Sequence, residues 1–507
     1  MTSNPIKKDS PIIVVGAGVF GLSNALHLAQ NGYTNITVFD RLDFDSNNYT
    51  LLKGADTASA DINKIFRIQY ADKIHYQRLA MEAGEIWEKW DRDIKLLPEE
   101  EAKKYTALTI LDRCGMLRLD DIEGNSKEEN QNLASFEKDG LRSLQFDANN
   151  PLDVKRANAT AKASGWGNKI NPLKLKERGK VENLSGILYS TSGILYASRA
   201  CQYAKYLCVQ LGVKFILGGN KGTFQDFITS EKDRNEILGV VCKDGTKHFA
   251  DLTVIACGPW STSLVPELDG INEGTTGSVV IFKIPDGRKD LYEKYSPRNF
   301  PIISWKGGHS REKEYLGGLY LFPAMEPEGV MKMIIRQKKY TNPVKLENNR
   351  IVSIPKTVNS NPPTTKVTKH ILDQAKSFLT VIAPDLVEAG IKLESRIIWY
   401  TDTINNDYIY DFVPGKKNLF VSCGGSGHAF KMLPVLGKFL VDKIERRENF
   451  YTNLFKWRNP KDFTKDPNGL KEGITGPRVY DKQSLPSDDD YKFQDIEKKV
   501  KNLKLYQ

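Results

Sequence analysis

No run of about 18 or more apolar residues occurs in this chain, which excludes a transmembrane helix. The polar stretch Met1 to Ser10 lacks the apolar core of a secretory signal and leads straight into a strand-like run. Cysteine is scarce: Cys114, Cys201, Cys208, Cys242, Cys257 and Cys423 are scattered, with no CxxC pair. This argues against a metal site and for free thiols in a reducing compartment. There is no basic arm either. The net charge is +10, yet the 73 Lys and Arg are interleaved with 63 Asp and Glu. No nucleic-acid module is recognisable, so a nucleic-acid partner is not expected, and a basic site drawing carboxylates is compatible with the charge. Internal repeats are absent as well.

What is present is a chain of 507 residues with 40% apolar residues, enough for two or three domains. Pro11 to Val15 is a β-rich apolar run. Leu22, Ala25, Leu26 and Ala29 recur at helical spacing over Val19 to Asn31, Gly32 stops that helix, and Ile36 to Phe39 forms a second strand. Further along, the pattern predicts a helix over Ile74 to Trp90 and another over Ser198 to Leu211. It predicts a strand over Val213 to Leu217, a hairpin around Asp244-Gly245 and a buried strand over Thr253 to Ala256. Val279 to Tyr340 reads as strand-rich, with turns at Gly307-Gly308 and Gly317-Gly318. A helix follows over Thr368 to Ile382, then a strand over Asn418 to Ser422 and a helix over Lys431 to Glu445. Residues 97–190 have weak periodicity and read as a peripheral region with long loops. The polar tail beyond Arg446 reads as draped over the surface or partly mobile.

The first chemical signal is Gly16-Ala17-Gly18-Val19-Phe20-Gly21, a GxGxxG set in a strand–turn–helix context. Gly16 allows the tight turn. Gly18 lets a pyrophosphate approach amides at the positive end of the helix, and Gly21 lets helix and strand pack closely. Asp40 follows Gly21 by nineteen residues at the end of the second strand, where a carboxylate accepts hydrogen bonds from ribose hydroxyls. Arg41 stands beside it, and Cys257, Gly258 and Trp260 follow a later buried strand; all four are counted with the cofactor site. This motif does not separate NAD from FAD.

Two further motifs narrow the choice. One is Ala60-Asp61-Ile62-Asn63-Lys64-Ile65-Phe66-Arg67-Ile68-Gln69-Tyr70, and the other is Gly424-Gly425-Ser426-Gly427-His428-Ala429-Phe430-Lys431. Together they resemble the monomeric sarcosine oxidase family, and within it the fungal branch of fructosyl amino acid oxidases (amadoriases), saccharopine oxidases and pipecolate oxidases. The resemblance covers residues 10–95 and 190–445. It implies bound FAD and places Lys64 beside the isoalloxazine ring, with Gly425, Gly427 and His428 close to the flavin. Arg67 and Lys431 match the pair that holds the substrate carboxylate. The chemistry is sensible, since a guanidinium binds a carboxylate through two hydrogen bonds and an ammonium adds a point charge. Lys332, alone on an apolar strand, matches the lysine that activates oxygen, where a cation favours the negative charge that develops as O2 is reduced. Tyr320 and Tyr400 match active-site tyrosines.

Two departures accompany the resemblance. The family's flavin-tethering cysteine falls at Ile398, so FAD is expected to be held non-covalently. The chain ends Lys504-Leu505-Tyr506-Gln507, without a Ser-Lys-Leu type peroxisomal signal, so a cytoplasmic location is expected, with the peroxisome left open as the alternative.

The implied activity is oxidation of a C–N bond in a secondary-amine amino acid. The α-hydrogen leaves as a hydride equivalent, the imine hydrolyses, and O2 becomes hydrogen peroxide. Four residues beyond Lys332, where amadoriases carry an acid, stands Arg336. Residues four apart on a strand share a face, so Arg336 favours a substrate with an extra carboxylate, such as saccharopine. Fructosyl amino acids, pipecolate and sarcosine stay open. A nicotinamide dehydrogenase, a flavin dehydrogenase using another acceptor, and a catalytically inert FAD protein are the rival classes. A monomer acting on a small molecule and O2, without a membrane partner, is expected.

The fold expected is α/β: a glutathione reductase-like FAD-binding Rossmann domain plus an α+β substrate domain with a mixed, largely antiparallel sheet. The segments 1–95, 190–270 and 395–445 are expected to build the flavin domain. Residues 96–189 and 271–394 form the substrate domain, and 446–507 the tail.

Overall fold

A computed structural model describes residues 5–47, 49–55, 57–104, 109–160, 165–306, 318–335, 339–464, 468–470 and 473–493. Arg336, Gly307-Gly308 and Gly317 lie outside the described residues.

The apolar run at the N-terminus becomes β1 (Ile12–Val15), buried at every position. Helix α1 (Val19–Gln30) follows, then β2 (Ile36–Asp40). β1 pairs in parallel with β2 on one side and with Leu252–Ile255 on the other. Lys214–Leu217 extends the sheet beyond β2, and Leu419–Cys423 extends it beyond Leu252–Ile255, both in parallel. Ile409–Phe412 closes that edge antiparallel, giving six strands. Strands hidden on both faces need largely apolar sequence, and the central three, Ile12–Val15, Leu252–Ile255 and Leu419–Cys423, have it and are buried throughout. The hairpin around Asp244-Gly245 forms as expected, from Ile237–Cys242 and Lys247–Phe249, with Phe224–Thr229 as a third strand.

The second sheet has eight strands among the described residues. Its spine is Asn272–Lys283 paired antiparallel with Leu393–Thr403 over their whole length. Val330–Ile335, Leu319–Leu321 and Ile302–Lys306 continue it antiparallel. Ile302–Lys306 then pairs in parallel with Met116–Asp120, the one parallel junction in this sheet among the described residues. The sheet is therefore mixed and largely antiparallel, as expected. Leu393–Thr403 lies in this sheet, so the boundary drawn at 395 cuts through a strand.

Three expectations are corrected. Residues 97–190 are not mainly long loops: Met116–Asp120, Gln145–Asp147 and Ser185–Tyr189 are strands of the second sheet, and Lys127–Lys138 and Pro151–Ala159 are helices. The helix expected over Lys431 to Glu445 is broken into Leu433–Leu436 and Lys438–Ile444. The break falls where α1 crosses. Gly437 N donates to Ser23 Oγ at 2.7 Å, and a Cβ on Gly437 would stand 2.0 Å from Ser23 O. The described tail beyond Arg446 is docked rather than draped. Phe455 is fully buried among Tyr76, Tyr408, Tyr410 and Phe439, and Arg478, 2% exposed, pairs with Glu273 at 2.8 Å. Aromatic anchors and a buried ion pair outweigh the tail's polar composition. No described helix is long and apolar enough to cross a membrane.

The two sheets meet at the glycine-rich loop after Leu419–Cys423. Ser426 N donates to Thr401 O at 2.8 Å and Gly425 N to Thr401 Oγ1 at 3.0 Å, so this loop is tied to the end of Leu393–Thr403.

Candidate functional site

A single cavity of about 1090 Å³ runs from the first βαβ unit, across the junction of the sheets, to the strand Val330–Ile335. Gly16, Gly18, Val19, Phe20, Asp40, Arg41, Cys257, Gly258 and Trp260 line its first end. Gly16 takes φ 104°, and a Cβ there would meet Ala256 O at 2.4 Å, so this turn accepts only glycine. Gly21 faces the strand behind, where a Cβ would stand 1.7 Å from Gly16 O. Asp40 does more than face the cavity. Its Oδ2 accepts from Ala17 N at 2.7 Å and its Oδ1 from Leu42 N at 2.8 Å, so the carboxylate organises the turn that carries it. The Arg41 guanidinium lies 4.4 Å from the centre of the Trp260 ring, a planar cationic lid at this end.

The middle of the cavity holds Lys64, Asn63, Asp61 and Lys332. Lys64–Phe66 is a short strand held antiparallel against Gly193–Leu195. Lys332 is wholly buried, on an interior strand paired on both sides with Asn272–Lys283 and Leu319–Leu321. Its Nζ donates to Asp61 Oδ2 at 2.9 Å and to Asn63 O at 2.6 Å. Lys64 Nζ donates to the same Asp61 oxygen at 2.8 Å. Burial pulls the Lys332 ammonium down to about 8, with Asp61 opposing and Lys64 reinforcing that shift. Burial alone would raise the Asp61 carboxyl, but Lys332 and Lys64 hold it below the usual carboxylate range. Asn63 is fully buried with Nδ2 and Oδ1 both unpartnered among the described residues. Buried amides without partners are rare, so this one fits a polar ligand edge.

At the far end lie Arg67, Lys431, His428, Tyr320 and Tyr400. Arg67 and Lys431 share one aromatic ring: Tyr70 has the guanidinium 4.7 Å and the ammonium 5.1 Å from its centre. Arg67 Nη1 donates to Gln69 O, and Gln69 is clamped by Ser192 Oγ at 2.8 Å. Lys431 Nζ donates to His428 O at 2.8 Å. Neither cation has an acidic partner among the described residues. Burial, with Arg67 second, holds the Lys431 ammonium well below its ordinary pKa. His428 is kept neutral by burial and by Lys431, with ring nitrogens facing Tyr408 Oη at 2.9 Å and Asn406 O at 2.9 Å. A buried ammonium and a half-buried guanidinium with no counter-charge among the described residues form a receptor for an anion.

Of the residues expected from sequence, Ala17 and Gly21 shape the turn without lining the cavity, and the others within the described residues line it. Asp61 and Asn63 stood inside a quoted motif without a role. Tyr70 stood in the same motif, also without a role; Ser59, Lys73, Lys339 and Asn468 line the cavity as well and carried no sequence signal.

The site suits a flavin dinucleotide. It has a glycine turn that leaves no room for side chains, an acid at the end of β2 and an orphaned buried amide. Ile398, where the resemblance expects a tethering cysteine, lines the cavity, and the one lining cysteine, Cys257, sits at the dinucleotide end beside Val15 O. Replacing Asp40 with Ala removes a charged acceptor of amides and hydroxyls. Flavin affinity is expected to fall about 10- to 100-fold, read by equilibrium dialysis of the flavin. Unchanged retention would contradict this role.

The comparisons agree with this reading. Over 453 residues the chain is 28% identical to L-saccharopine oxidase of Schizosaccharomyces pombe, covering 85% of this chain and 89% of that protein. It is 23% identical to human peroxisomal sarcosine oxidase, covering 85% and 90%. A modified fructosyl peptide oxidase from Aspergillus nidulans matches the fold with TM-score 0.72 at 23% identity, covering 95% of this chain and 100% of that one. The model of the DAO family, described as FAD dependent oxidoreductase, matches residues 11–443, and the chain belongs to that family of FAD-dependent oxidoreductases.

Proposed function

We propose that this protein oxidises a C–N bond of a secondary-amine amino acid of the saccharopine type, giving an imine that hydrolyses, with O2 as acceptor and hydrogen peroxide as product. The observation that carries it is the pair Arg67 and Lys431 around Tyr70, a carboxylate receptor in the cavity that also holds buried Lys332. FAD, when bound, supplies the two-electron acceptor. Arg67 and Lys431 bind and orient the carboxylate. Tyr70, Tyr76 and neutral His428 wall that receptor, and Lys332 presents a positive charge fixed by Asp61 and Asn63 O. Asn63 and Lys64 would hold the ring system, and Gly16 to Phe20, Asp40, Arg41, Ser59 and Trp260 the dinucleotide.

We assign residues 1–95 and 190–270 to the flavin domain, together with the last segment up to 445. Leu393–Thr403 goes with 96–189 and 271–394 as the substrate domain. A monomer in the cytoplasm is the proposed state; the six unpaired cysteines support a reducing compartment.

A substrate panel tests the reading. L-Saccharopine, fructosyl-valine, L-pipecolate and sarcosine are offered in air and peroxide is measured. The highest kcat/KM is expected for saccharopine. Lysine and 2-oxoglutarate as products place the lost hydrogen on the α-carbon; glutamate and an aldehyde place it on the lysine methylene. A preference for sarcosine or fructosyl-valine would overturn the substrate assignment.

Lys431 gives a pH signature. In the free protein its pKa is depressed below that of an ordinary lysine, by burial first and by Arg67 second. A bound carboxylate favours the protonated form. Binding therefore takes up protons, and affinity falls as pH rises through the depressed value. Calorimetry of glutarate binding in two buffers of different ionisation enthalpy reads this uptake. It is expected to disappear in Lys431→Met.

A further inference from the structure

We propose that Lys339, held by Asp402 and by Asn468 of the C-terminal segment, is a second anion subsite that takes the terminal carboxylate on the far arm of a saccharopine-type secondary amine. This rests on, and sharpens, the substrate reading above. Lys339 lines the same cavity as Arg67 and Lys431, and its side chain is 29% exposed. Its Nζ donates to Asp402 Oδ1 at 2.7 Å and to Asn468 Oδ1 at 2.9 Å. An ammonium carries three N–H donors, and these two contacts leave one for a ligand among the described residues. Asp402 is completely buried, and its other oxygen accepts from Thr275 Oγ1 at 2.7 Å. Asp402 therefore cannot turn away, and it fixes the ammonium.

Asn468 has every polar group committed. Its amide oxygen faces Lys339, and its Nδ2 donates to Thr403 O at 2.9 Å and Asn406 Oδ1 at 2.6 Å. Asn406 O in turn meets the His428 ring at 2.9 Å, so the amide joins the Lys339 subsite to the loop that carries Lys431. The Tyr400 ring spans the two: Lys339 Nζ lies 5.4 Å from its centre, and a Cβ on Gly427 would sit 3.9 Å from its edge. The segment is anchored from below. Arg478 pairs with Glu273 at 2.8 Å, and Thr341 and residues 478–480 exchange backbone hydrogen bonds of 2.8 Å. Asn468 lies beyond residue 443, where the family match ends. The wall at this end is thus built by a segment outside the matched region, and it is placed to set which substrates fit rather than the redox step.

The test uses the flavin-loaded full-length protein and two readouts. Dissociation constants come from perturbation of the flavin spectrum by linear dicarboxylates from glutarate to suberate, each compared with the monocarboxylate of equal length. The half-saturating concentration for anaerobic flavin reduction is measured with L-saccharopine and with N-butyl-L-glutamate, which keeps the secondary amine and both glutamate carboxylates but lacks the terminal carboxylate and ammonium of the lysine arm. Lys339→Gln keeps a hydrogen bond to Asp402 without the charge. Asn468→Leu keeps the Lys339–Asp402 pair and guards against a folding defect in the first variant. Both are expected to weaken the best dicarboxylate and saccharopine about tenfold. Monocarboxylates, the butyl analogue and the limiting reduction rate stay unchanged, and Lys339→Arg restores most of the loss. Equal losses for mono- and dicarboxylates, or no loss for either, would overturn the subsite. A native protein that binds dicarboxylates through Lys339 yet leaves saccharopine unoxidised supports the subsite and sinks the substrate reading. One that oxidises saccharopine with constants unmoved by Lys339→Gln does the reverse.

Discussion

Replacing Lys332 with Met is expected to slow reaction of the reduced enzyme with O2 by about a hundredfold to a thousandfold, while substrate still reduces the flavin at close to the native rate. The argument is electrostatic. Lys332 is wholly buried and fixed by Asp61 Oδ2 and Asn63 O, so its charge is in place before any negative charge develops on oxygen. A preorganised charge in a dry site costs nothing to reorient, and losing one such group typically slows its step by a factor of this size. The same lysine predicts a pH dependence. Its pKa is pulled down to about 8, chiefly by burial. Below that value the cation is present; above it the ammonium is discharged, so the O2 rate constant falls as pH rises through about 8. Stopped-flow mixing of reduced enzyme with oxygenated buffer reads both effects. Equal slowing of both half-reactions would instead mark Lys332 as structural. Met is chosen because it fills similar volume, but it leaves Asp61 with Lys64 as its remaining cation. A folding check on the variant is part of the experiment.

Arg67→Met is the second large effect. It is expected to lower kcat/KM for carboxylate substrates by about a hundredfold or more, the cost of truncating one partner of a desolvated ionic contact. The limiting rate of flavin reduction should fall less, since Lys431 still holds the carboxylate. The variant also makes a prediction with a sign. Arg67 is one of the two causes that depress the Lys431 pKa, the other and larger being burial. Removing the guanidinium raises that pKa, so proton uptake on carboxylate binding should shift to higher pH. A variant that loses affinity with no such shift would show that the two cations do not act on one ligand.

Much of this architecture was legible from local pattern. The parallel sheet follows from β1, α1 and β2, where apolar runs flank a glycine turn that admits no side chain at Gly16 or Gly21. Lys332 stood out because a single cation interrupts an apolar strand, and it proves fully buried. What local pattern could not reach were partnerships between distant residues. Lys339 and Asp402 lie 63 residues apart, and Lys339 and Asn468 lie 129 apart. No periodicity announces such pairs. The polar tail misled for the same reason: its composition signals solvent, while a few anchors such as Phe455, Arg478 and Tyr480 decide its docking. Residues 97–190 gave weak periodicity because their strands are short and pair across long stretches of sequence, Met116–Asp120 with Ser185–Tyr189 and with Ile302–Lys306. Gly437 broke an apparently continuous helix because the α1 backbone, far away in sequence, occupies the space a Cβ would need.

The most direct measurement is anaerobic mixing of the flavin-loaded protein with L-saccharopine, followed by admission of air. The account predicts that the oxidised flavin absorbance bleaches, returns with oxygen, and yields one hydrogen peroxide per flavin reoxidised. A flavin that stays oxidised in the presence of saccharopine, or a purified protein that holds no flavin, would contradict it.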